Sequence, residues 1–330
     1  MNWERIIVNA LEAGLGLETV VFALAAIGLN VHFGYTGLLN FGQSAFMAMA
    51  AYGLATTVAT FNLPLWLGVI IGLAAAIVLA LLLGIPTLRL RADYLAIVTI
   101  AAAEIVRLTA RSVTFEGTFG GSDGRQAFAG DFYALTPYPV GFYGVGNFGF
   151  NERALWVLTV GWTLVGLSCL IVFLLMRSPW GRVLKAIRED EDAVRSLGKN
   201  VYSYKLQSLM IGGVLGCLGG FILALGRSSI QPDIFGTETT FFAYTVLILG
   251  GAARVASPVV GAMIFWVVLS FTDNLLGEAV GAGYIPTSVL STSEVGQVRF
   301  MLVGLALMLL MIFRPQGIFG DRREIALDAR

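Results

Sequence analysis

Residues 177–205 read RSPWGRVLKAIREDEDAVRSLGKNVYSYK, directly after the apolar run ALWVLTVGWTLVGLSCLIVFLLM at 154–176. The stretch holds eleven charged side chains and all three lysines of the chain, between flanks that are almost entirely apolar. In a bilayer such an island has to lie in water, on the side where Lys and Arg collect. Its flanks are then membrane crossings. The composition of the whole chain agrees: 57% of its 330 residues are hydrophobic, 13% are charged, and the mean hydropathy is +0.81. Soluble chains carry about 25% charged residues. The expected fold class is therefore all-α, a polytopic transmembrane helical bundle forming one domain over 1–330 within the lipid bilayer.

Working outward from the island, apolar runs predict spans at 17–32, 38–60, 65–85, 94–110, 154–176, 204–226, 240–253, 258–276 and 299–313, about nine crossings within a range of eight to ten. Arg254 and Pro258 inside GGAARVASPVVGA separate two short helices in 240–276. If 177–205 is cytoplasmic, its side also receives Arg89, Arg91, Arg254 and the tail 314–330 with Arg314, Arg322, Arg323 and Arg330. That is 14 of the 21 Lys and Arg. The bias predicts an outward N-terminus and an inward C-terminus. Segments 111–153 and 277–298 then face outward, rich in Gly, Pro and aromatics. They read either as a surface for an extracytoplasmic partner or as loops that cap the bundle. Glu12 and Glu18 interrupt the first apolar run, so no cleaved leader is expected.

Local chemistry shapes the island. Ser178 is a helix N-cap and Pro179 suits the first turn, where its missing N–H is no loss. Val183, Leu184 and Ile187 line one face, and Gly198 is a natural stop with Arg195 and Lys199 near the negative end of the dipole. The acidic run Glu189–Asp192 interrupts the apolar stripe. The pattern predicts two short helices, or one kinked helix, across the mouth of the bundle. A solvated loop helix with internal ion pairs fits the same residues.

Catalytic chemistry finds little footing. The single histidine, His32, reads as a helix-end polar residue, and neither HExxH nor a Cys/His cluster occurs. GQSAF at 42–46 lacks the last glycine of a nucleophile elbow, and no GxxxxGK[ST] is present. Cys169 and Cys217 sit in apolar runs as buried small hydrophobes. A formal net charge of zero gives no reason to expect nucleic acid as a partner. The informative polar residues are those inside the membrane. Glu104 and Arg107 stand three apart on one helix face, either as an ion pair pinning neighbours or as part of a pathway. Thr99 falls on the opposite side of that helix. Asn40, Gln43 and Ser44 cluster among small residues, where backbone could unwind around a zwitterion or where helices could hydrogen-bond to one another. Asp273 lies near the outer end of its span. Glycines such as Gly212, Gly216 and Gly220, and the set Ala48, Tyr52 and Gly53, suit close helix packing.

Several stretches resemble the LivH/LivM family, the permease subunits of ATP-binding cassette (ABC) importers for branched-chain amino acids. They are SPWGRVLKAIREDEDAVRSLGKNV, GYTGLLNFGQSAFMAMAAY at 34–52, YLAIVTIAAAEIVRL at 94–108, GGAARVASPVVGA at 250–262 and FRPQGIFG at 313–320. The long outward loop before the fifth span is similar to that of the LivM branch. The resemblance implies an ABC importer permease and a coupling role for 177–205, carried by Trp180, Gly181, Arg182, Arg188, Glu189, Asp190, Glu191, Asp192 and Gly198. It implies partners: a LivH-like permease, two ATP-binding subunits and an extracytoplasmic substrate-binding protein, in a bacterial cytoplasmic membrane. This chain would bind no cofactor; ATP and Mg²⁺ would sit on the ATPase subunits. Related permeases carry urea or short amides, which keeps those cargoes open. A stand-alone ion-coupled carrier using Glu104 or Asp273 is the rival, but such a carrier has no need of a capped cytoplasmic helix.

Overall fold

The chain begins with α1 (Trp3–Leu15) and α2 (Leu17–Leu29), broken at Gly16, whose backbone is extended. The computed structural model describes residues 2–88, 92–282, 284, 295–314 and 316–320. Helix α2 is buried at every residue from Thr19 to Leu29 and forms the axis of the bundle. It runs on into a π-helical turn, Asn30–Tyr35. Then follow α3 (Gln43–Ala59), α4 (Leu65–Thr87), α5 (Ala92–Arg111), the short α6 (Glu116–Phe119) and α7 (Gly130–Ala134), and α8 (Glu152–Arg177). The island folds as α9 (Pro179–Glu189) and α10 (Glu191–Ser196), and α11 (Val201–Arg227), α12 (Thr237–Gly250), α13 (Ser257–Gly281) and α14 (Val295–Phe313) complete the bundle.

Every predicted apolar run contains a helix. Among the described residues, five helical stretches are long and apolar enough to cross a membrane: Trp3–Tyr35, Leu65–Thr87, Glu152–Arg177, Val201–Arg227 and Ser257–Gly281. The first predicted run opens α2 at Leu17; ahead of it α1 is an additional amphipathic helix that buries Ile6, Ala10 and Gly14 and packs on α13. One predicted boundary needs correction. The second helix begins at Gln43, because 37–42 is not helical. Arg89, Arg91, Arg322, Arg323, Arg330 and residues 285–294 of the expected outward segment lie outside the described residues.

The fold turns its apolar surface outward as well as inward. Helix α4 buries Gly68, Gly72, Ala76, Leu79, Ala80, Leu83 and Gly84 along one stripe, while Ile70, Val78, Leu82 and Ile85 on its other faces are exposed. Helix α8 does the same with Leu167, Leu170, Ile171 and Leu174. A soluble protein of this size would cover such faces; in a bilayer they meet acyl chains. Between helices the contacts are close. A Cβ at Gly28 would strike the backbone of Gly212 and Gly216, and one at Gly220 would strike the backbone of Met47. The glycines on α11 therefore admit α2 on one side and α3 on the other, as small residues do where hydrocarbon offers no other packing force.

Segment 111–153 is ordered. It contains two short ladders: β1 (Arg125–Gln126) pairs antiparallel with β4 (Ser229–Ile230), and β2 (Phe142–Val145) with β3 (Phe148–Asn151). The β2–β3 hairpin rests on α1, where Gly149 N–H donates to Glu12 Oε1 at 3.0 Å. These small ladders apart, the described residues form helices and connecting loops. We call the side of the bundle carrying α9 and α10 the island end, and the opposite side the far end.

Candidate functional site

Interrupting a helix inside a membrane strands backbone groups that water cannot reach, so each needs a partner. Segment 30–42 finds them in its own Thr36 and Asn40 and in side chains from α5, α9, α11 and α12. Thr36 Oγ1 donates to Val31 O at 2.8 Å and lies 2.6 Å from Ser208 Oγ. Phe41 N–H donates to Thr99 Oγ1 at 3.0 Å, Tyr244 OH to Asn40 O at 2.9 Å, and Ser44 N–H to Thr240 Oγ1 at 3.0 Å. Asn30 clamps the turn after α12, with Oδ1 accepting from Ala253 N–H and Nδ2 donating to Arg254 O, both at 2.8 Å. Arg188 of α9 donates from Nη1 to Gly34 O at 2.5 Å.

The centre of this knot assigns its own protons. Gly42 N–H donates to Asn40 Oδ1 at 2.9 Å, which turns Asn40 Nδ2 toward His32 Nδ1, 3.1 Å away. An amide nitrogen only donates, so Nδ1 must accept. The ring proton then sits on Nε2, which donates to Leu209 O at 3.0 Å. His32 is thus a neutral, buried bridge between α11 and the unwound segment. Gln43 stands beside it, its Oε1 3.4 Å from Asn40 Nδ2, on a spot where a Cβ at Gly216 would overlap its amide. Gln43 Nε2 and Ser44 Oγ have no hydrogen-bond partner among the described residues. Leaving a buried donor unmade costs about 1–3 kcal/mol.

One helical turn further along α3, Met47 lines a cavity of about 700 Å³ that opens toward the far end. Its floor and walls are apolar: Val21, Phe22, Met47, Leu223, Phe242 and Trp266. Its rim carries two sets of opposite charges and a further carboxylate, Glu238. Glu18 Oε1 pairs with Arg227 Nη2 at 2.6 Å. Opposite, Arg107 Nε donates to both Glu104 oxygens at 3.1 and 3.0 Å, and its Nη1 reaches Asp233 Oδ1 at 2.6 Å. Arg111 joins the same Asp233 oxygen at 3.1 Å.

The predicted pathway residues fall into two adjacent groups. Asn40, Gln43, Ser44 and Thr99 meet in the knot; Glu104 and Arg107 meet at the cavity rim. Glu18, Arg227, Asp233, His32, Ser208, Thr240 and Tyr244 complete these groups and were not singled out as pathway residues. Glu18 and Arg227 are helix-end charges 209 positions apart, and nothing in the local pattern signals their pairing. Asp273, expected near water, pairs with Arg299 at 3.0 Å and ties α13 to α14.

The island divides in two. Ser178 Oγ caps α9 by accepting from Gly181 N–H at 3.5 Å, and Asp190 Oδ1 caps α10 by accepting from Ala193 N–H at 2.9 Å. Two short helices are the outcome, ended by Gly198 at a φ of +76°. Leu184, Ile187 and Val194 face the bundle. Among the expected coupling residues, Gly181 is buried and Arg188 points inward. Trp180 Nε1 donates to Gln207 Oε1 at 2.8 Å, and Glu191 pairs with Arg195 and Lys205. Arg182, Glu189, Asp190, Asp192 and Gly198 are exposed.

Apolar outer faces, a broken helix buried in the bundle, and a polar knot under a charged cavity define a multi-pass helical membrane transport protein. The family model described as branched-chain amino acid transport system / permease component matches residues 13–313, and the chain belongs to that family. It is 30% identical over 310 residues, 91% of this chain and 68% of the relative, to the high-affinity branched-chain amino acid transport system permease protein LivM of Escherichia coli K12. A probable LivM of Methanocaldococcus jannaschii is 24% identical over 343 residues, 92% and 91% of the two chains. The LivH permease of Salmonella typhimurium is 26% identical over 314 residues, 91% of each. The chain is a LivM-type transport subunit, not an enzyme.

Proposed function

We propose that the chain is the membrane-spanning permease subunit of an ATP-binding cassette importer for branched-chain or other neutral amino acids. A soluble extracytoplasmic protein delivers the cargo, a LivH-like subunit completes the pore, and two separate ATPase subunits supply the energy with ATP and Mg²⁺. About nine spans cross a bacterial cytoplasmic membrane, N-terminus out and C-terminus in. Segment 111–153 then faces the binding protein, and 177–205 faces the ATPases with Arg182, Glu189, Asp192 and Gly198 outermost.

The observation that carries this reading is one connected path. Arg188 on the island helix holds Gly34 in the π-helical turn; the same turn holds His32, which meets Asn40 and Gln43; and Gln43 lies one turn from Met47 under the cavity. A rigid shift of α9 would therefore reach the cavity floor through backbone and buried hydrogen bonds. The cavity suits the cargo. Carboxylates and guanidinium groups on its rim complement a zwitterion, and Phe22, Phe242 and Trp266 accept an apolar side chain that urea lacks.

Reconstitution tests the reading. Vesicles holding both permeases and the ATPases, supplied with binding protein and ATP, should accumulate leucine, and omission of any component should abolish uptake. Leucine uptake by this chain alone, driven by an ion gradient, would overturn it in favour of a secondary carrier.

A further inference from the structure

A second recess, about 490 Å³, lies at the island end, beside the turn that Asn30 clamps, and shares no lining residue with the charged cavity. Its walls come from the last turn of α8, from α9, from the turn at 253–256 and from the start of α13. Arg177, Lys185 and Arg254 line it, and among the described residues no carboxylate does. Rings flank the cations: the Arg177 guanidinium lies over Phe173 at 4.1 Å and the Lys185 ammonium over Tyr35 at 5.7 Å. Neither Arg177 nor Lys185 makes an ion pair among the described residues. Two cations that line one recess repel each other, which an anion placed between them would relieve.

The surface leading to this recess says which anion. Leu167, Leu170 and Leu174 are 50%, 52% and 59% exposed, and Arg177 follows at the same helical register. The three leucines form one apolar stripe on the outer face of α8, and the stripe ends at the Arg177 side chain. A ligand lying along it has hydrocarbon beside the leucines and its charge at the recess, which is the shape of a membrane lipid. We propose that the recess binds the phosphate headgroup of an anionic phospholipid, held by Arg177 and Lys185, with its acyl chains along α8. Basic pockets between transmembrane helices suit such headgroups. Lys185 lies on the helix that also carries Arg188, so a bound lipid would brace α9 against α8.

Thermal unfolding and native mass spectrometry of the full chain in detergent test this, with phosphatidylglycerol compared with phosphatidylcholine of the same acyl chains. Phosphatidylglycerol should bind more tightly and raise the melting temperature further. Each Lys or Arg near an anionic headgroup contributes roughly fivefold in affinity, so Arg177→Gln with Lys185→Gln should remove about 25-fold of the preference. Lys185→Gln alone changes an exposed side chain, leaves folding intact and should remove about fivefold. Arg182→Gln, exposed on the same helix and outside the recess, should keep the full preference. Equal binding of the two lipids overturns the proposal, as does a preference that survives both variants. Inorganic phosphate reproducing the whole stabilisation would also overturn it, because the site would then read an ion and not a lipid.

Discussion

Arg188 donates from Nη1 to the carbonyl oxygen of Gly34 at 2.5 Å, joining an amphipathic helix outside the apolar bundle to the π-helical turn inside it. The bond is possible because that turn releases carbonyls from regular i to i+4 pairing, and a guanidinium is the donor that reaches them with its charge still near water. The carbon stem of Arg188 also packs over Gly37, where the backbone has a φ of +71° and a Cβ would press on Arg188 Cγ. Glycine at 37 thus serves both the turn and the approach of α9.

The close contact of α11 with α3 predicts an asymmetry between two glycines. A Cβ at Gly220 would meet the backbone of Met47, which cannot rotate away, while one at Gly166 on α8 meets nothing within 4 Å. Gly220→Ala should lower stability by about 1–3 kcal/mol through overpacking. Gly166→Ala should be neutral or stabilising by up to about 1 kcal/mol, from helix propensity alone. Unfolding of the two purified variants in detergent, followed by circular dichroism, measures the difference.

At the turn after α12, Ala253 adopts a φ of +61°, and its N–H is satisfied by Asn30. Asn30→Ala would strand a buried N–H and a carbonyl, with an expected loss of about 1–3 kcal/mol. Ala253→Gly should raise stability slightly, by about 0.5 kcal/mol, since relief of left-handed strain exceeds the added chain entropy of glycine. Melting temperatures that move in opposite directions for the two variants would meet this expectation.

Arg107 is the shared cation of Glu104 and Asp233 at the cavity rim. Arg107→Ala takes from Glu104 its paired cation and leaves Asp233 with Arg111 alone, and leucine uptake by the reconstituted importer should fall about tenfold or more, the worth of a charged hydrogen bond. Asp233→Asn alters a carboxylate that is 61% exposed and already shared with Arg111, so its effect should stay within about threefold. Initial uptake rates at saturating binding protein separate the two.

Features set by near neighbours in the chain are legible in the sequence. The Ser178–Pro179 start of α9, the acidic break at Asp190, the stop at Gly198 and the Glu104–Arg107 pair all follow from spacings of one to four residues. Features set by distant partners are not. His32 looks like a helix-end residue until Leu209 and Asn40 are placed beside it, and Arg107 acquires Asp233 from 126 positions away. Helix α1 was hidden because its apolar residues recur every four positions among charges, a pattern too polar for a span and yet sufficient to pack on α13. The unwound segment 37–42 was expected only as a capacity of Asn40, Gln43 and Ser44. Its actual bounds depend on Thr99, Thr240 and Tyr244, which come from two other helices.

The central claim is that Arg188 transmits the motion of the island to the segment beneath the cavity, and the most direct test is the ratio of leucine taken up to ATP hydrolysed by the reconstituted importer. Arg188→Met keeps the length of the side chain and removes its donors; it should leave ATP hydrolysis within about twofold while uptake per ATP falls about tenfold or more, with Arg188→Lys in between. An unchanged ratio in a folded Arg188→Met importer would contradict the account.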